Sequence, residues 1–389
     1  MGGISENIDR ESWQPVKVAG GKDASQKILK FIENHPGISI IDQYSRNLEE
    51  LFLLRNPQYR FDRNYQPQFE KFTVEHSESR PLEQFGVWYY FPWVNQIVHY
   101  FDEDLHQELR TGRNKYLITS EEQKKYYEAK IGIAGLSVGS HVALTICMTG
   151  GAKHMRLADP DMLSGDNLNR IRTGFQNVGV NKAVAVARQI YEINPYADLK
   201  IYTSGITEEN ANEFLDGLDV FIEEMDNPYL KVKTRFLARE LGTPVIMAAD
   251  NGDGIIADVE RYDLDKKYPI LHGIINEATL QKLKDFPPQE LPRIMAKIAG
   301  ANIADLRMLY SVTEVGKSLY SWPQLWTADT MCGSVLAFLA RRVALRDPKI
   351  KSGRYEVNPN AVFEDGFLSP ESANTRESER KEYLRRIGI

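Results

Sequence analysis

The sequence predicts an α/β protein whose main part is a doubly wound, mostly parallel sheet with helices on both faces. Two observations carry that expectation. From Lys130 onward short apolar runs alternate with amphipathic helical stretches, the pattern of a parallel sheet covered on both sides. The runs "KIGIAG", "HMRLAD", "LKIYTSGI", "DVFIEEMD" and "TPVIMAAD" read as strands, and "SHVALTICMTGG", "NKAVAVARQIYEIN" and "NPYLKVKTRFLARELG" as the helices between them. The stretch "IGIAGLSVGSHVAL", residues 131–144, then joins the first strand to the first helix through a tight glycine turn, the layout of a nucleotide-binding loop.

The flanking segments differ in character. Residues 1–109 form a separate, aromatic-rich α+β region of unknown function. In it "SQKILKFIEN" carries apolar residues at Ile28, Leu29, Phe31 and Ile32, a helical spacing that stops before His35–Pro36. The dense aromatic run "FGVWYYFPWVNQIVHYF" reads as core or docking surface rather than a ligand cage. Residues 110–352 hold the alternating pattern, and residues 353–389 are polar, a solvated extension or a partner-contacting arm.

Composition narrows the function classes. At 389 residues two domains are the natural prior, and 42% hydrophobic with 26% charged residues is ordinary for a soluble globular enzyme. A net charge of −6 argues against general nucleic-acid binding. No apolar run approaches the roughly 20 residues that span a bilayer. The first residues lack the apolar segment of a secretory signal, and Glu6 stands where a Met-Gly myristoylation signal wants Ser or Thr, so a cytoplasmic protein without a lipid anchor is expected. The two cysteines, Cys147 and Cys332, form no Cys-x-x-Cys pair, which excludes a four-thiolate structural zinc. Both lie in apolar helical patterns and read as small buried hydrophobes.

Three elements carry chemistry. The first is the loop itself, where Gly135, Ser137 and Gly139 precede a helix N-terminus that suits an anion, although neither alignment of the loop gives a full G-x-G-x-x-G. The second is "RLADPDMLSGDNLNR". Asp159 ends the next strand about twenty residues beyond Gly139, where an acid accepts hydrogen bonds from ribose hydroxyls, and Asp161, Asn167 and Arg170 follow at the carboxyl edge. Lys182 opens the next helix. Together with Arg170 it is excessive for a dinucleotide but useful for a triphosphate. A merely solvated lysine would be disfavoured there by the helix dipole. The third element is "DVFIEEMDNPYLK", which runs an apolar strand into Glu223, Glu224 and Asp226. Acids at that edge point into the ligand crevice and suit Mg²⁺ bridging phosphates, with Asp226 as the N-cap of the following helix as the competing reading.

These elements in this order resemble the superfamily of ThiF, MoeB and the ubiquitin-activating enzymes, which adenylates carboxylates on a Rossmann-like sheet. The resemblance runs from Arg110 to about Arg342 and rests on the glycine loop, "ADPD…DNLNR", Lys182, "MDNP" and "PVIMAADNGDG". It implies that ATP is bound by Gly135, Ser137, Gly139, Asp159 and Asp161, and that Asn167, Arg170 and Lys182 hold its phosphates. It further implies that Asp226 positions Mg²⁺ and that Arg113, in "RTGRNKYLIT", reaches the ATP site of the partner in a homodimer. Asn114 replaces the usual glutamine beside it, Ile171 stands where a glutamine is common, and the loop is glycine-poor. The family's zinc-binding cysteine pairs are missing, and no cysteine lies between Cys147 and Cys332 to form a thioester. The implied activity is formation of an acyl-AMP and pyrophosphate from the carboxylate of a ubiquitin-like or sulfur-carrier protein, a peptide or a small acid. Two rivals remain open at the level of sequence: an NAD(P)-dependent oxidoreductase, which the loop and Asp159 fit, and a nucleotide-binding pseudoenzyme of the same fold.

Overall fold

The computed structural model describes residues 11–287 and 290–387. The expectation about Gly2 and Glu6 therefore falls outside the described residues. Two compact units emerge, one of residues 1–124 with 187–197 and one of residues 125–186 with 198–389.

The first unit is built on a four-stranded sheet of β1 (Val16–Gly20), β2 (Ser39–Asp42), β3 (Val87–Phe91) and β4 (Gln96–Tyr100), in the order β1-β3-β4-β2. Only the β2–β4 pair is parallel. Helices α1 (Ala24–Asn34), α2 (Tyr44–Arg55), α3 (Gln66–Ser77) and α4 (Glu103–Arg110) complete it. The first of these is the helix expected from "SQKILKFIEN", ended by His35. The aromatic run is the β3–β4 hairpin, and its inward face is core. His99 lies stacked between Trp88 at 4.2 Å and Tyr44 at 4.4 Å, and its Nε2 meets the Phe85 carbonyl at 2.7 Å. A buried imidazole held this way is satisfied structural furniture rather than a ligand.

The second unit begins within α5 (Ser120–Tyr127) and is built on a seven-stranded sheet. Its strands are β5 (Lys130–Ala134), β6 (His154–Ala158), β7 (Asp198–Tyr202), β8 (Val220–Glu223), β9 (Val245–Asn251), β10 (Gly254–Glu260) and β11 (Gly353–Val357), in the order β11-β10-β9-β8-β5-β6-β7. Strands β9, β8, β5, β6 and β7 run parallel, which confirms the doubly wound sheet. β10 and β11 extend it antiparallel, so the residues set apart above as a polar extension supply the sheet's edge strand. The helices are α6 (Val138–Met148), α7 (Lys182–Ile193), α8 (Ala211–Leu215), α9 (Pro228–Leu241), α10 (Glu277–Leu280), α11 (Leu291–Ile298), α12 (Leu306–Val312), α13 (Trp326–Ala344), α14 (Asn360–Phe363) and α15 (Pro370–Ile387). The C-terminal half of α7 counts with the first unit.

Strand β5 is buried from Ile131 to Ala134, as a central parallel strand must be. One face of the sheet meets α8, α9 and the 270–298 segment through a core that includes Phe214, Phe221, Val232, Tyr262 and Ile298. Helices α6 and α13 lie against each other, and α13 also packs on β8, β9 and β10. The chain passes from β5 to β6 on one side while β8 lies on the other. That reversal opens a crevice at the carboxyl ends of β5 and β8, the place where such sheets bind ligands.

Among the described residues no helix is long and apolar enough to cross a membrane.

Candidate functional site

The glycine loop sits at this crevice. Gly135 has φ +90°, and a Cβ there would lie 2.2 Å from the Glu224 carbonyl oxygen, so only glycine lets the loop cross the end of β8. Its N–H donates to the Ala158 carbonyl at 2.8 Å, tying the loop to β6 as well. Gly139 lets α6 lie close on β5, since a Cβ would come within 2.9 Å of Ile133 Cγ2. Ser137 stands at the N-cap of α6, and its buried Oγ has no hydrogen-bond partner. A helix start whose cap hydroxyl does not close it retains open N–H groups for an anion.

Asp159 is buried at the end of β6 and braces the loop. Its Oδ2 accepts the Leu136 N–H at 2.6 Å and its Oδ1 the Asp161 N–H at 2.8 Å. Burial raises its carboxyl above the usual range, against the opposing pull of Lys182 and the two amides. A carboxylate has about four lone-pair positions, so two remain for other donors. Lys182 Nζ lies 2.8 Å from Asp161 Oδ2 and 3.9 Å from Asp159 Oδ1. It is therefore buried and aimed into the crevice, not solvated. The residue before it, Asn181, caps α7 by accepting the Ala183 N–H at 2.9 Å, and donates to the carbonyls of Asp159 and Asp161. Its signal in the sequence was an Asn directly ahead of an apolar-periodic run.

Asn167 and Arg170 follow on a short turn over Gly165–Asn169. Asn167 is buried, with its side-chain oxygen accepting the Ser164 N–H at 3.2 Å, and so shapes the turn. Arg170 Nη1 donates to the Asp166 carbonyl and to Asn169 Oδ1, each at 2.9 Å, while its buried Nε has no partner. His141 on α6 donates through Nε2 to the Arg170 carbonyl at 2.7 Å, which anchors the turn to the helix of the glycine loop.

The acids after β8 separate into three roles. Glu223 does not enter the crevice. It is fully buried, 2.8 Å from Lys231 Nζ and ion-paired with Arg235, because i+8 and i+12 on α9 bring both cations under the strand. Glu224 accepts the Ala248 N–H at 2.8 Å, and burial holds its carboxyl well above the usual range. Asp226 is exposed and free of capping duty, since Asn227 takes the N-cap of α9 by accepting the Leu230 N–H at 3.0 Å. The reading of Asp226 as the helix cap is thereby corrected. Among the described residues no three His, Cys, Asp or Glu side chains converge as metal ligands. A metal caged by protein alone does not fit. A Mg²⁺ bound chiefly by phosphates and water needs only one or two carboxylates, which Asp226 can supply. Arg113 is exposed in the short turn Gly112–Asn114 of the first unit.

The sequence reading missed an acidic cluster at the ends of β9 and α13. Asp250 Oδ2 accepts Gln324 Nε2 at 3.2 Å, and its Oδ1 lies 3.5 Å from Cys332 Sγ. Asp329, fully buried in the first turn of α13, has no partner for either oxygen. Burial, with the charge of Asp250 added and Arg170 opposing, pushes its carboxyl up to about 8 from 3.8. Asp250 was detectable by the rule that found Asp159, an acid closing a parallel strand.

This cluster gives a pH prediction. The protonated Asp329 favours the folded state, fully below about 4, and that advantage is lost as pH rises through about 8. Asn in its place does not titrate. The stability of Asp329→Asn relative to wild type should therefore grow between these limits and level off above them. Urea midpoints at about pH 5, 7 and 9 read this, and parallel profiles for the two proteins would refute it.

The geometry defines an α/β protein with a candidate ligand site at the topological switch point. The ThiF family model matches residues 111–314, more than half of the chain, and the chain belongs to that family. The uncharacterized protein MT1398 of Mycobacterium tuberculosis (strain CDC 1551 / Oshkosh) is 36% identical over 284 residues, covering 73% of this chain and 39% of that protein. The adenylyltransferase and sulfurtransferase UBA4 of Eremothecium gossypii is 25% identical over 148 residues, covering 38% of this chain and 33% of that protein. The chain thus spans well under half the length of these relatives. Among solved structures, E. coli tRNA N6-threonylcarbamoyladenosine dehydratase, TcdA, in complex with AMP aligns with TM-score 0.44 and 18% identity, over 62% of this chain and 97% of that one.

Proposed function

We propose that this chain is an ATP- and Mg²⁺-dependent adenylyltransferase that converts a substrate carboxylate to acyl-AMP with release of pyrophosphate. The observation that carries the proposal is the convergence of Lys182, Asp159 and Asp161 beside the glycine loop and the start of α6, in a chain of the ThiF family. In this reading Asp159 and Asp161 face the ribose, the α6 N-terminus and Asn167's turn meet the phosphates, and Lys182 exchanges Asp161 for the more highly charged triphosphate. Arg170, whose Nε is unspent, takes charge as pyrophosphate departs. Attack of the carboxylate on the α-phosphorus needs positioning and neutralisation more than covalent help. When bound, Mg²⁺ would supply further neutralisation between phosphate oxygens, held by Asp226.

No thioester on this chain is part of the proposal. Both cysteines are buried, and burial together with the Asp250 charge raises the Cys332 thiol well above its ordinary range, which works against a nucleophilic thiolate. The carboxylate is expected on a carrier-protein C-terminus, a peptide or a small acid, and the assembly as a homodimer, both carried over from the resemblance. Carboxylate-dependent exchange of pyrophosphate into ATP is the direct assay. Asp226→Ala, which removes no cap and no buried contact, should keep wild-type stability and lower that exchange by about two orders of magnitude or more. Near-normal exchange would detach Asp226 from the metal.

A further inference from the structure

The adenylation chemistry above uses Lys182, Arg170 and the acids beside the glycine loop, and leaves unused a second acidic group near Arg170. This group is made by two segments far apart in the chain. Asp250 closes β9, while Asp329 and Cys332 stand three residues apart on α13 and so share one face of it. Cys332 reaches Asp250 Oδ1 at 3.5 Å, which directs that same face, and Asp329 with it, toward the end of β9. The donors that contact Asp250 are neutral, the Gln324 amide and the Cys332 thiol. Asp329 is 0% exposed with both oxygens unpartnered. The nearby cation Arg170 has Nη1 committed to the Asp166 carbonyl and Asn169 Oδ1.

Burial raises both carboxyls above their usual range, Asp329 to about 8, so a proton offsets their charge until a cation displaces it. A group able to displace that proton is small, positively charged and rich in donors. We infer that Asp250 and Asp329 form the seat of a primary ammonium group, and that the acyl acceptor of this enzyme is an amine. The inference rests on the adenylating reading for its second clause. An ammonium brings three donors and no acceptor, which matches unpartnered carboxylate oxygens. A divalent metal caged by protein alone asks for more oxygen ligands than these two carboxylates, and one held through water or phosphate is the rival that the MgCl₂ arm below tests.

The step then balances. The seated R–NH₃⁺ gives one proton to the Asp329 carboxylate and becomes a free amine. Its nitrogen lone pair forms a bond to the acyl carbon, the bond from that carbon to the phosphate oxygen breaks, and AMP leaves with the electron pair. The second nitrogen proton passes to the Asp250 carboxylate, giving an amide, and both protons return to water afterwards. An Asp329 carboxyl that titrates near neutrality suits the first transfer.

The test uses the full chain and the probe n-butylammonium chloride, with n-butanol and MgCl₂ alone as controls. Thermal midpoints are measured at about pH 7.5 with about 50 mM of each. n-Butylammonium should raise the midpoint of wild type, and Asp329→Asn and Asp250→Asn should each reduce that shift by about five-fold or more. n-Butanol and MgCl₂ should give shifts that do not depend on these residues. Equal n-butylammonium shifts in wild type and both variants, or no shift in wild type, would overturn the seat. A shift with MgCl₂ alone that both variants abolish would also overturn it, in favour of a metal. If one variant fails to fold, the other carries the comparison. Binding of ATP·Mg²⁺ to wild type, measured separately by calorimetry, tests the adenylating reading, so the two failures are told apart.

Discussion

Arg235→Ala is expected to cost about 3–5 kcal/mol of folding stability, the price of leaving buried charge unpaired. Arg235 is 0% exposed and sits between two carboxylates, bonded to Glu223 through Nη1 and to Glu260 through Nε at 2.7 Å. Glu223 also holds Lys231 at 2.8 Å, and Glu260 Oε1 accepts the Tyr262 hydroxyl at 2.6 Å and the Leu271 N–H at 2.7 Å. The four charges cancel, so removing Arg235 leaves two buried carboxylates against one lysine. Arg235→Lys should recover little, because one ammonium cannot reproduce donors on two sides. Urea denaturation checks both variants. A loss near 1 kcal/mol for Arg235→Ala would mean that water enters and screens the network.

Lys182→Ala should lower carboxylate-dependent pyrophosphate exchange by about 10²–10³, the size seen when one preorganised charge at a reacting group is removed. Stability should change little, since Asp161 is mostly solvated and Asp159 keeps its two backbone amides. The same variant tests the proposed dimer. In the family this sequence resembles, the arginine at the Arg113 position acts on the partner's phosphates, and here Arg113 is exposed. Arg113→Ala and Lys182→Ala homodimers should each be nearly inactive. Mixed with subunit exchange, about half of the dimers carry one intact site of two, so activity should return to roughly a quarter of wild type. Exchange without recovery would remove Arg113 from the site in trans, and with it the main argument for the dimer.

Much of the fold was legible because its signals are local. Strands β5, β8 and β9 of the parallel set are built on continuous apolar runs, β6 and β7 alternate apolar with polar residues, and each helix between them carries its own periodicity. Asp159 and Lys182 were legible because the edge of a parallel sheet is where a polar residue at a strand end or helix start meets a ligand. That rule failed at Glu223. Its cations lie on α9, and no feature of "FIEEMD" tells which of two adjacent acids turns inward. Asp250 closes a parallel strand as Asp159 follows one, but its meaning depends on Asp329 and Gln324 much later in the chain. The choice between Asp226 and Asn227 as helix cap was a one-residue boundary question, the kind local pattern resolves least well. Edge strand β11 was missed because a short polar strand paired on one side has no hydrophobic run to announce it.

β11 also bears on how the family unit can be divided. Arg354 on that strand holds Asp258 of β10 by two bonds of 2.7 Å, and Asp258 is 1% exposed. Cutting the chain after residue 352 would therefore strip β10 of its outer neighbour and take from a buried acid its two-bonded arginine. For grafting or fusion the usable junction lies beyond Val357. The matched segment 111–314 marks shared ancestry, and a fragment trimmed to it would lack both α13 and the strand that closes the sheet.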